Sequence, residues 1–162
     1  TGLLDQLSDD GRVVMLSSAA HQGAPRGGIE LDNLDGKRGY RGVRAYGQSK
    51  LANILFARSL SKRFAGTKKT ANAVHPGVIH TNLARYMNPV ANAALSLLGP
   101  MVLKSIPQGA ATEVYVATHP SLAGVSGRYF ADCNLAKPSR HATDDALAER
   151  LWKASEEIAA KV

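Results

Sequence analysis

The sequence is poor in the features that mark secreted, metal-binding and membrane proteins. Its one cysteine, Cys133, excludes an intrachain disulfide and a cysteine-based metal site. The longest apolar stretch, Pro89 to Leu103, is interrupted by Asn92 and Pro100 and is too short to span a bilayer. No signal peptide is recognisable. We therefore expect a cytoplasmic protein without a metal ion, a disulfide or a transmembrane segment.

Acidic and aromatic residues are also scarce. The chain carries 20 Lys and Arg against 13 Asp and Glu, which gives a net charge of +7, and 6% of its residues are aromatic. The basic residues concentrate at 37–44 and 62–69, where no recognisable nucleic-acid-binding motif accompanies them. A solvated basic surface explains such stretches, so we expect no nucleic-acid partner.

The apolar segments predict strands that alternate with helices within one domain, residues 1–162. We expect strands at Val13–Leu16, Thr70–His75 and Arg128–Phe130, a long loop over 19–45, and helices over 45–64, 107–119 and from an N-cap at Thr143 to about 160. The continuous apolar run Val13–Leu16 predicts a strand buried on both faces. Such an order is typical of a parallel sheet, so we predict an α/β, Rossmann-like, doubly wound fold.

Within the helix Tyr46–Phe64, residues 51–57 are apolar except for Asn53. A helix that is apolar nearly all round is buried on more than one side. One side can face the sheet, and we expect the other to face protein outside this chain. This helix is therefore the surface on which we expect any homo-oligomer to form. It also motivates the alternative hypothesis of a non-catalytic fragment that binds a partner here.

Tyr46 and Lys50 lie four residues apart, on one face of the predicted helix. Free tyrosine has a pKa of about 10 and is a poor acid at neutral pH, but a neighbouring cation favours the phenolate. Ser17 and Ser18 follow one predicted strand, and Pro76–Gly77 follow the next. Since both positions lie at the carboxyl edge of a parallel sheet, where α/β proteins place their sites, we expect one site there.

The order Ser-Ser, Tyr-x-x-x-Lys and His-Pro-Gly resembles the classical short-chain dehydrogenase/reductase family. The strings Arg12–Ser18, Ala45–Asn53 and Val74–Gly77 are most similar to the retinol dehydrogenase and WW-domain oxidoreductase branch. The resemblance is to the carboxyl-terminal half and covers essentially all 162 residues. It implies an NAD(P)-dependent oxidoreductase that interconverts an alcohol and a carbonyl, with NADP favoured over NAD.

The resemblance also implies the site residues. Tyr46 is the proton donor to a carbonyl, or the base toward an alcohol, and is also one of the cofactor-binding residues. Lys50 binds the nicotinamide ribose and favours the phenolate. Ser18 hydrogen-bonds the reacting oxygen, with Ser17 as the competing choice. The nicotinamide end of the cofactor is contacted, largely through backbone, by Pro76, Gly77, Ile79 and Thr81. The Ala- and Leu-rich segment 82–105 covers the substrate in family members, which implies an apolar alcohol, aldehyde or ketone.

The chain departs from the family pattern in one respect. It contains no glycine-rich dinucleotide fingerprint and no Asn-Asn-Ala-Gly strand end, and it starts at Thr1 without an initiator methionine. We therefore expect an incomplete domain that lacks the nucleotide-binding half. We expect the isolated chain to have impaired activity for this reason. An epimerase or dehydratase of the extended relatives shares Tyr-x-x-x-Lys, but the short carboxyl-terminal region and the His-Pro-Gly string argue against it.

Overall fold

The computed structural model describes residues 2–79 and 103–161. Within these ranges the chain forms four strands and three helices, joined by short 3-10 turns. The strands are β1 (Arg12–Leu16), β2 (Thr70–His75), β3 (Tyr129–Ala131) and β4 (Asn134–Leu135), and the helices are α1 (Gly42–Arg63), α2 (Ile106–Thr118) and α3 (Asp145–Ala159). The expectations for Thr81 and for most of the segment 82–105 fall outside the described residues.

The four strands form one sheet in the order β1-β2-β3-β4. The β1/β2 and β2/β3 pairs are parallel, with α1 and α2 as the crossovers, and β3/β4 is antiparallel. This arrangement confirms the predicted Rossmann-like α/β fold. Strand β4 has no counterpart among the predicted strands. It returns through a two-residue turn in which Asp132 and Cys133 both have left-handed backbone angles, φ 51° and 57°, as tight hairpins require.

Successive strand residues point to two apolar layers on opposite faces of the sheet. Ala73 and Tyr129 belong to the layer that contains residues of α1 and α3. Val74 and Phe130 belong to the layer that contains Val116 of α2. Because side chains alternate along a strand, helices on both faces bury both sets, which is the doubly wound arrangement.

The prediction that β1 is buried on both faces is wrong. Its residues are half-buried, and Leu16 is 47% exposed, whereas β2 is buried from Thr70 to Val74. The difference follows from the strand order, since β1 lies at one end of the described sheet and β2 lies between two neighbours. An apolar run in the sequence indicates a strand, but the strand order decides how much of it is covered.

Helix α1 begins three residues earlier than predicted and is covered on both apolar sides within this chain. Leu51 and Leu55 are fully buried, in one layer with Ala73 of β2 and Leu147 of α3. The Ser59 hydroxyl donates to the carbonyl of Ala148 in α3 at 3.3 Å. The second face therefore packs on α3, where we expected protein from outside the chain. This packing removes the feature on which the interaction-fragment hypothesis rests.

The other two helices are capped by polar side chains. At α2, Ser105 and Gln108 form a reciprocal capping box, with Pro107 in the first turn. At α3 the N-cap is Asp144, whose carboxylate accepts from the Leu147 amide at 2.9 Å. The predicted cap, Thr143, instead ends the preceding 3-10 turn and donates to the Arg140 carbonyl.

The long loop between β1 and α1 contains two 3-10 turns, Ala19–Gly23 and Leu31–Asn33. The first turn follows Ser18 directly and packs against α1. No helix within residues 2–79 and 103–161 combines the length and the apolar character that a membrane crossing requires.

Candidate active site

The ends of β1 and β2 lie side by side at the carboxyl edge of the sheet. The Ser17 amide extends the parallel pairing by donating to the Val74 carbonyl at 2.8 Å. Ser17 and Ser18 therefore follow one strand where Pro76 and Gly77 follow the other. This is the edge at which open α/β sheets place ligands.

The two adjacent serines have different surroundings. Ser17 is buried, with 2% of its surface exposed, and its hydroxyl donates to the carbonyl of Lys50 at 2.7 Å. Ser18 is half-buried, and its hydroxyl oxygen accepts from the Ala20 amide at 3.2 Å as the cap of the 3-10 turn. Accepting a bond leaves the O–H of Ser18 available as a donor. The geometry thus distinguishes two serines that the sequence left as alternatives.

Tyr46 and Lys50 lie on one face of α1, as their spacing predicts. The Lys50 ammonium is 5.4 Å from the centroid of the Tyr46 ring, and the Tyr46 side chain is 48% exposed. The same ammonium donates to the Leu16 carbonyl at 3.3 Å. The carbonyl that ends β1 thereby holds the cation next to the phenol.

Asn53 is a site residue to which sequence reasoning assigned no function. Its side-chain amide donates to the Leu16 carbonyl at 2.8 Å, so this oxygen receives bonds from both Asn53 and Lys50. The signal in the sequence is that Asn53 is the one polar residue in an apolar stretch of helix. A polar group among apolar neighbours needs a partner.

Gly47 brings the 3-10 turn after Ser18 into direct contact with α1. A Cβ atom at this position would lie 2.7 Å from the Ala20 carbonyl oxygen and 3.0 Å from the Gly23 carbonyl carbon. Glycine is therefore required for the backbones to approach this closely. The contact places the Ser18 turn against the residue that follows Tyr46.

His21 is a second residue that the sequence did not indicate. It is 1% exposed and contacts the edge of the Tyr129 ring, with the ring centroids 5.1 Å apart. One ring nitrogen lies 2.6 Å from the carbonyl oxygen of Ser18, and the other accepts from the amide of Ser139 at 2.9 Å. Burial lowers the pKa of the His21 imidazole.

At the end of β2, Gly77 has a left-handed φ of 91° and its amide donates to Nδ1 of His75 at 3.3 Å. The pKa of His75 is lowered, chiefly by burial. The side chain of Lys104 passes beside Gly77, where a Cβ would lie 2.7 Å from its Cδ, and its ammonium pairs with Asp132. The pairing lowers the pKa of the Asp132 carboxyl.

The structure brings five of the seven predicted site residues to one sheet edge: Ser18, Tyr46, Lys50, Pro76 and Gly77. Ile79 forms a parallel backbone bridge with Lys104, and its side chain packs where a Cβ of Gly109 would lie. That side chain is therefore directed at α2. Thr81 lies outside the described residues.

Known proteins similar to this chain include several dehydrogenases. The chloroplastic short-chain dehydrogenase TIC 32 B of Brassica napus is 47% identical over 145 residues, which are 88% of this chain and 45% of that protein. Human retinol dehydrogenase 14 is 38% identical over 96% of this chain and 46% of its own length. Mouse retinol dehydrogenase 12 is 42% identical over 96% of this chain and 48% of its own length. No family model matches the chain.

A similar fold occurs in the crystal structure of an uncharacterised protein from Mycobacterium paratuberculosis. The TM-score is 0.66 at 30% identity, over 91% of this chain and 49% of that one. The chain thus spans about half the length of the curated relatives that it matches. The doubly wound fold and the Ser-Tyr-Lys arrangement at the carboxyl edge of the sheet agree with this likeness. The chain therefore belongs to the short-chain dehydrogenase/reductase family.

Proposed function

We propose that the protein carrying these residues is an NAD(P)-dependent oxidoreductase that interconverts an alcohol and a carbonyl. The observation that carries this proposal is the exposed Tyr46 phenol with the Lys50 ammonium 5.4 Å from its ring centroid, at the sheet edge where the O–H of Ser18 donates to no residue within 2–79 and 103–161. These are a proton donor, a cation that favours its anionic form and a second donor for the reacting oxygen.

Each of the three side chains has a distinct task. Tyr46 gives a proton to the carbonyl oxygen in reduction and takes one from the alcohol in oxidation. Ser18 donates a hydrogen bond to the same oxygen, which stabilises the negative charge that develops there. Lys50 stabilises the phenolate that remains when Tyr46 has given up its proton. Asn53 and Lys50 share the Leu16 carbonyl, which orients the ammonium.

The residues present fit the nicotinamide end of a dinucleotide. Among the described residues Lys50 uses one of its three N–H donors, on the Leu16 carbonyl, and the other two can serve ribose hydroxyls. Gly77 has no side chain to keep a ligand from the backbone, and the atoms beside it belong to the flexible chain of Lys104. When bound there, a nicotinamide supplies or accepts the hydride. The choice of NADP over NAD stays a prediction.

An apolar small molecule is the proposed substrate. Val43 lies three residues before Tyr46 and therefore on the same face of α1, and its side chain is 86% exposed. This side chain offers apolar contact on the helix face that carries the reacting phenol. It supports a lipophilic alcohol, aldehyde or ketone.

The test compares Tyr46→Phe with Tyr40→Phe in the full-length protein that carries these residues. Nicotinamide absorbance is followed with short- and long-chain alcohols and aldehydes. Tyr46→Phe is expected to lower kcat by roughly 10²- to 10⁴-fold, since general acid–base catalysis contributes that much, while the Kd for the cofactor changes little. Tyr40→Phe should behave as wild type. A Tyr46→Phe variant with near-normal kcat, or a wild type without nicotinamide-dependent turnover, contradicts the proposal.

The cellular location and the assembly stay predictions. A cytoplasmic location is expected from the sequence, although one of the relatives is named as chloroplastic. Self-association through the apolar part of the helix Tyr46–Phe64 would have to use its partly exposed residues, such as Ala52 and Phe56, because the sheet and α3 bury Leu51 and Leu55. Analytical ultracentrifugation over a range of concentrations tests this surface.

A further inference from the structure

His21 connects the serine turn of the site to a segment more than one hundred residues away. It lies in the 3-10 turn that begins after Ser18, and its imidazole reaches the backbone of Ser139, 118 residues later. Ser139 precedes the turn Arg140–Thr143, which leads into α3. The imidazole is buried, so these two bonds are shielded from competing water.

The two partners of His21 determine where its proton lies. Nδ1 is 2.6 Å from the carbonyl oxygen of Ser18, which can only accept a hydrogen bond. Nε2 is 2.9 Å from the amide nitrogen of Ser139, which can only donate one. Both bonds form only when the ring is neutral and carries its proton on Nδ1. The burial that lowers the pKa of His21 favours the same neutral form.

Hydrogen bonds therefore hold both the backbone carbonyl and the side-chain hydroxyl of Ser18. The imidazole of His21 binds its carbonyl group, and the amide of Ala20 binds its hydroxyl oxygen. The whole turn rests on α1 at Gly47, next to Tyr46. The same carbonyl also accepts from the backbone amide of His21 at 3.1 Å, so the imidazole supplies the second and shorter of its two bonds. Loss of the imidazole bond would leave the peptide group after Ser18 held by the backbone bond alone, and we expect the hydroxyl to be less firmly placed.

We propose that His21 is a positioning residue for the proposed oxidoreductase reaction: its Nδ1–H holds the carbonyl of Ser18, and so aims the Ser18 hydroxyl at the reacting oxygen. This inference rests on the proposed function for the reaction itself. The second bond, from Ser139 to Nε2, fixes the tautomer and ties the site to the segment before α3. His21 does not touch the substrate oxygen in this arrangement.

Two substitutions separate the two bonds of His21. In His21→Asn the side-chain amide can stand near the position of Nδ1 and donate to Ser18, but nothing reaches Ser139. In His21→Gln the longer side chain can offer an oxygen near the position of Nε2 to Ser139, but nothing donates to Ser18. Both variants lose one buried hydrogen bond and the aromatic ring. If His21 had a purely structural function, the two variants would therefore show similar losses of stability and of kcat.

The kinetic test measures kcat and KM for both variants in the full-length protein. His21→Gln is expected to lower kcat by about 10- to 100-fold, the order of loss that misplacing a catalytic group causes, with KM for the cofactor nearly unchanged. His21→Asn should recover most of this loss. Equal losses of kcat in the two variants, or losses that follow thermal stability alone, overturn the proposal.

An activity-independent measurement keeps the inference separate from the proposed function. Nitrogen-15 NMR of the wild-type imidazole should show the Nδ1–H tautomer at neutral pH, and the Ala20 amide signal should move in His21→Gln but little in His21→Asn. An Nε2–H or charged ring in an active wild type overturns the inference alone. An inactive wild type with the expected tautomer contradicts the proposed function, and with it the catalytic purpose of the contact.

Discussion

The hydroxyl of Ser17 donates a 2.7 Å hydrogen bond to the backbone carbonyl of Lys50, and this bond ties the end of β1 to the helix that carries Tyr46. Together with the bond from the Lys50 ammonium to the Leu16 carbonyl, it closes a small ring of contacts between strand and helix. The Ser17 hydroxyl thereby uses its proton in a structural bond, whereas the O–H of Ser18 donates to none of the residues that the structure describes, and we propose that it donates to the substrate.

This division predicts opposite effects for the two alanine substitutions. Ser17→Ala is expected to lower the free energy of unfolding by about 1 kcal/mol, the net contribution of a buried hydrogen bond, and to leave kcat near the wild-type value. Ser18→Ala is expected to lower kcat by roughly 10²- to 10³-fold, as loss of a donor to the reacting oxygen does, with little change in stability. Chemical denaturation and steady-state kinetics measure both. The reverse pattern would assign the catalytic function to Ser17.

Gly47→Ala should damage both stability and activity. The added Cβ would lie 2.7 Å from the Ala20 carbonyl oxygen, a backbone atom that cannot turn away as a side chain can. We expect a loss of about 1–3 kcal/mol in the free energy of unfolding, as overpacking causes, and a drop in kcat as the Ser18 turn is pushed off α1. Gly42→Ala is the matched control, because its Cβ would meet only the Tyr40 ring at ordinary contact distance. Equal melting temperatures for the two variants would contradict the close contact between Gly47 and the Ala20 carbonyl.

The free energy of unfolding is expected to fall as the pH drops below about 6.5, the ordinary pKa of histidine. Burial lowers the pKa of His21, so its ring takes up a proton at higher pH in the unfolded chain than in the folded protein. The contribution of the neutral His21 ring to the free energy of unfolding is therefore complete above the unfolded-state pKa. It is lost as the pH falls toward the folded-state pKa. His75 acts in the same direction, and Tyr129, whose pKa burial raises to about 12, does not titrate there.

Urea denaturation at several values between about pH 5 and 8 checks this dependence through the linkage slope. His21→Asn should flatten part of the slope, and His75→Asn should flatten a further part. A wild-type slope that His21→Asn leaves unchanged would show that the ring does not resist protonation in the fold.

The cap of α3 provides a prediction about stability alone. Asp144→Ala is expected to lower the free energy of unfolding by about 1 kcal/mol, because the first turn loses its acceptor for the Leu147 amide. Thr143→Ala removes only an exposed bond to the Arg140 carbonyl and should have a much smaller effect. Thermal denaturation of the two variants compares them directly, and a larger loss for Thr143→Ala would place the cap where the sequence pattern suggested it.

The sequence predicts the positions of the main strands and helices better than it predicts which residues cap them or cover them. The β2 strand matches its predicted range, Thr70–His75, because the turn at Gly66–Thr67 precedes the segment and Pro76 ends it. Strand β4 escapes prediction because two residues in a hairpin carry no periodicity. The cap of α3 shifts from Thr143 to Asp144 because both residues can cap, and a single helical register selects one.

Spacing along the chain by itself determined that Tyr46 and Lys50 share a helix face, and the alternation of apolar segments determined a parallel α/β sheet. Tertiary structure alone decided that Ser17 is the serine whose hydroxyl bonds to α1, that α3 packs on the second face of α1, and that His21 binds the carbonyl of Ser18. The physical reason is the range of the interactions. Helical and strand periodicity act between residues a few positions apart, whereas a hydrogen bond between residues 21 and 139 exists only once the sheet has brought them together.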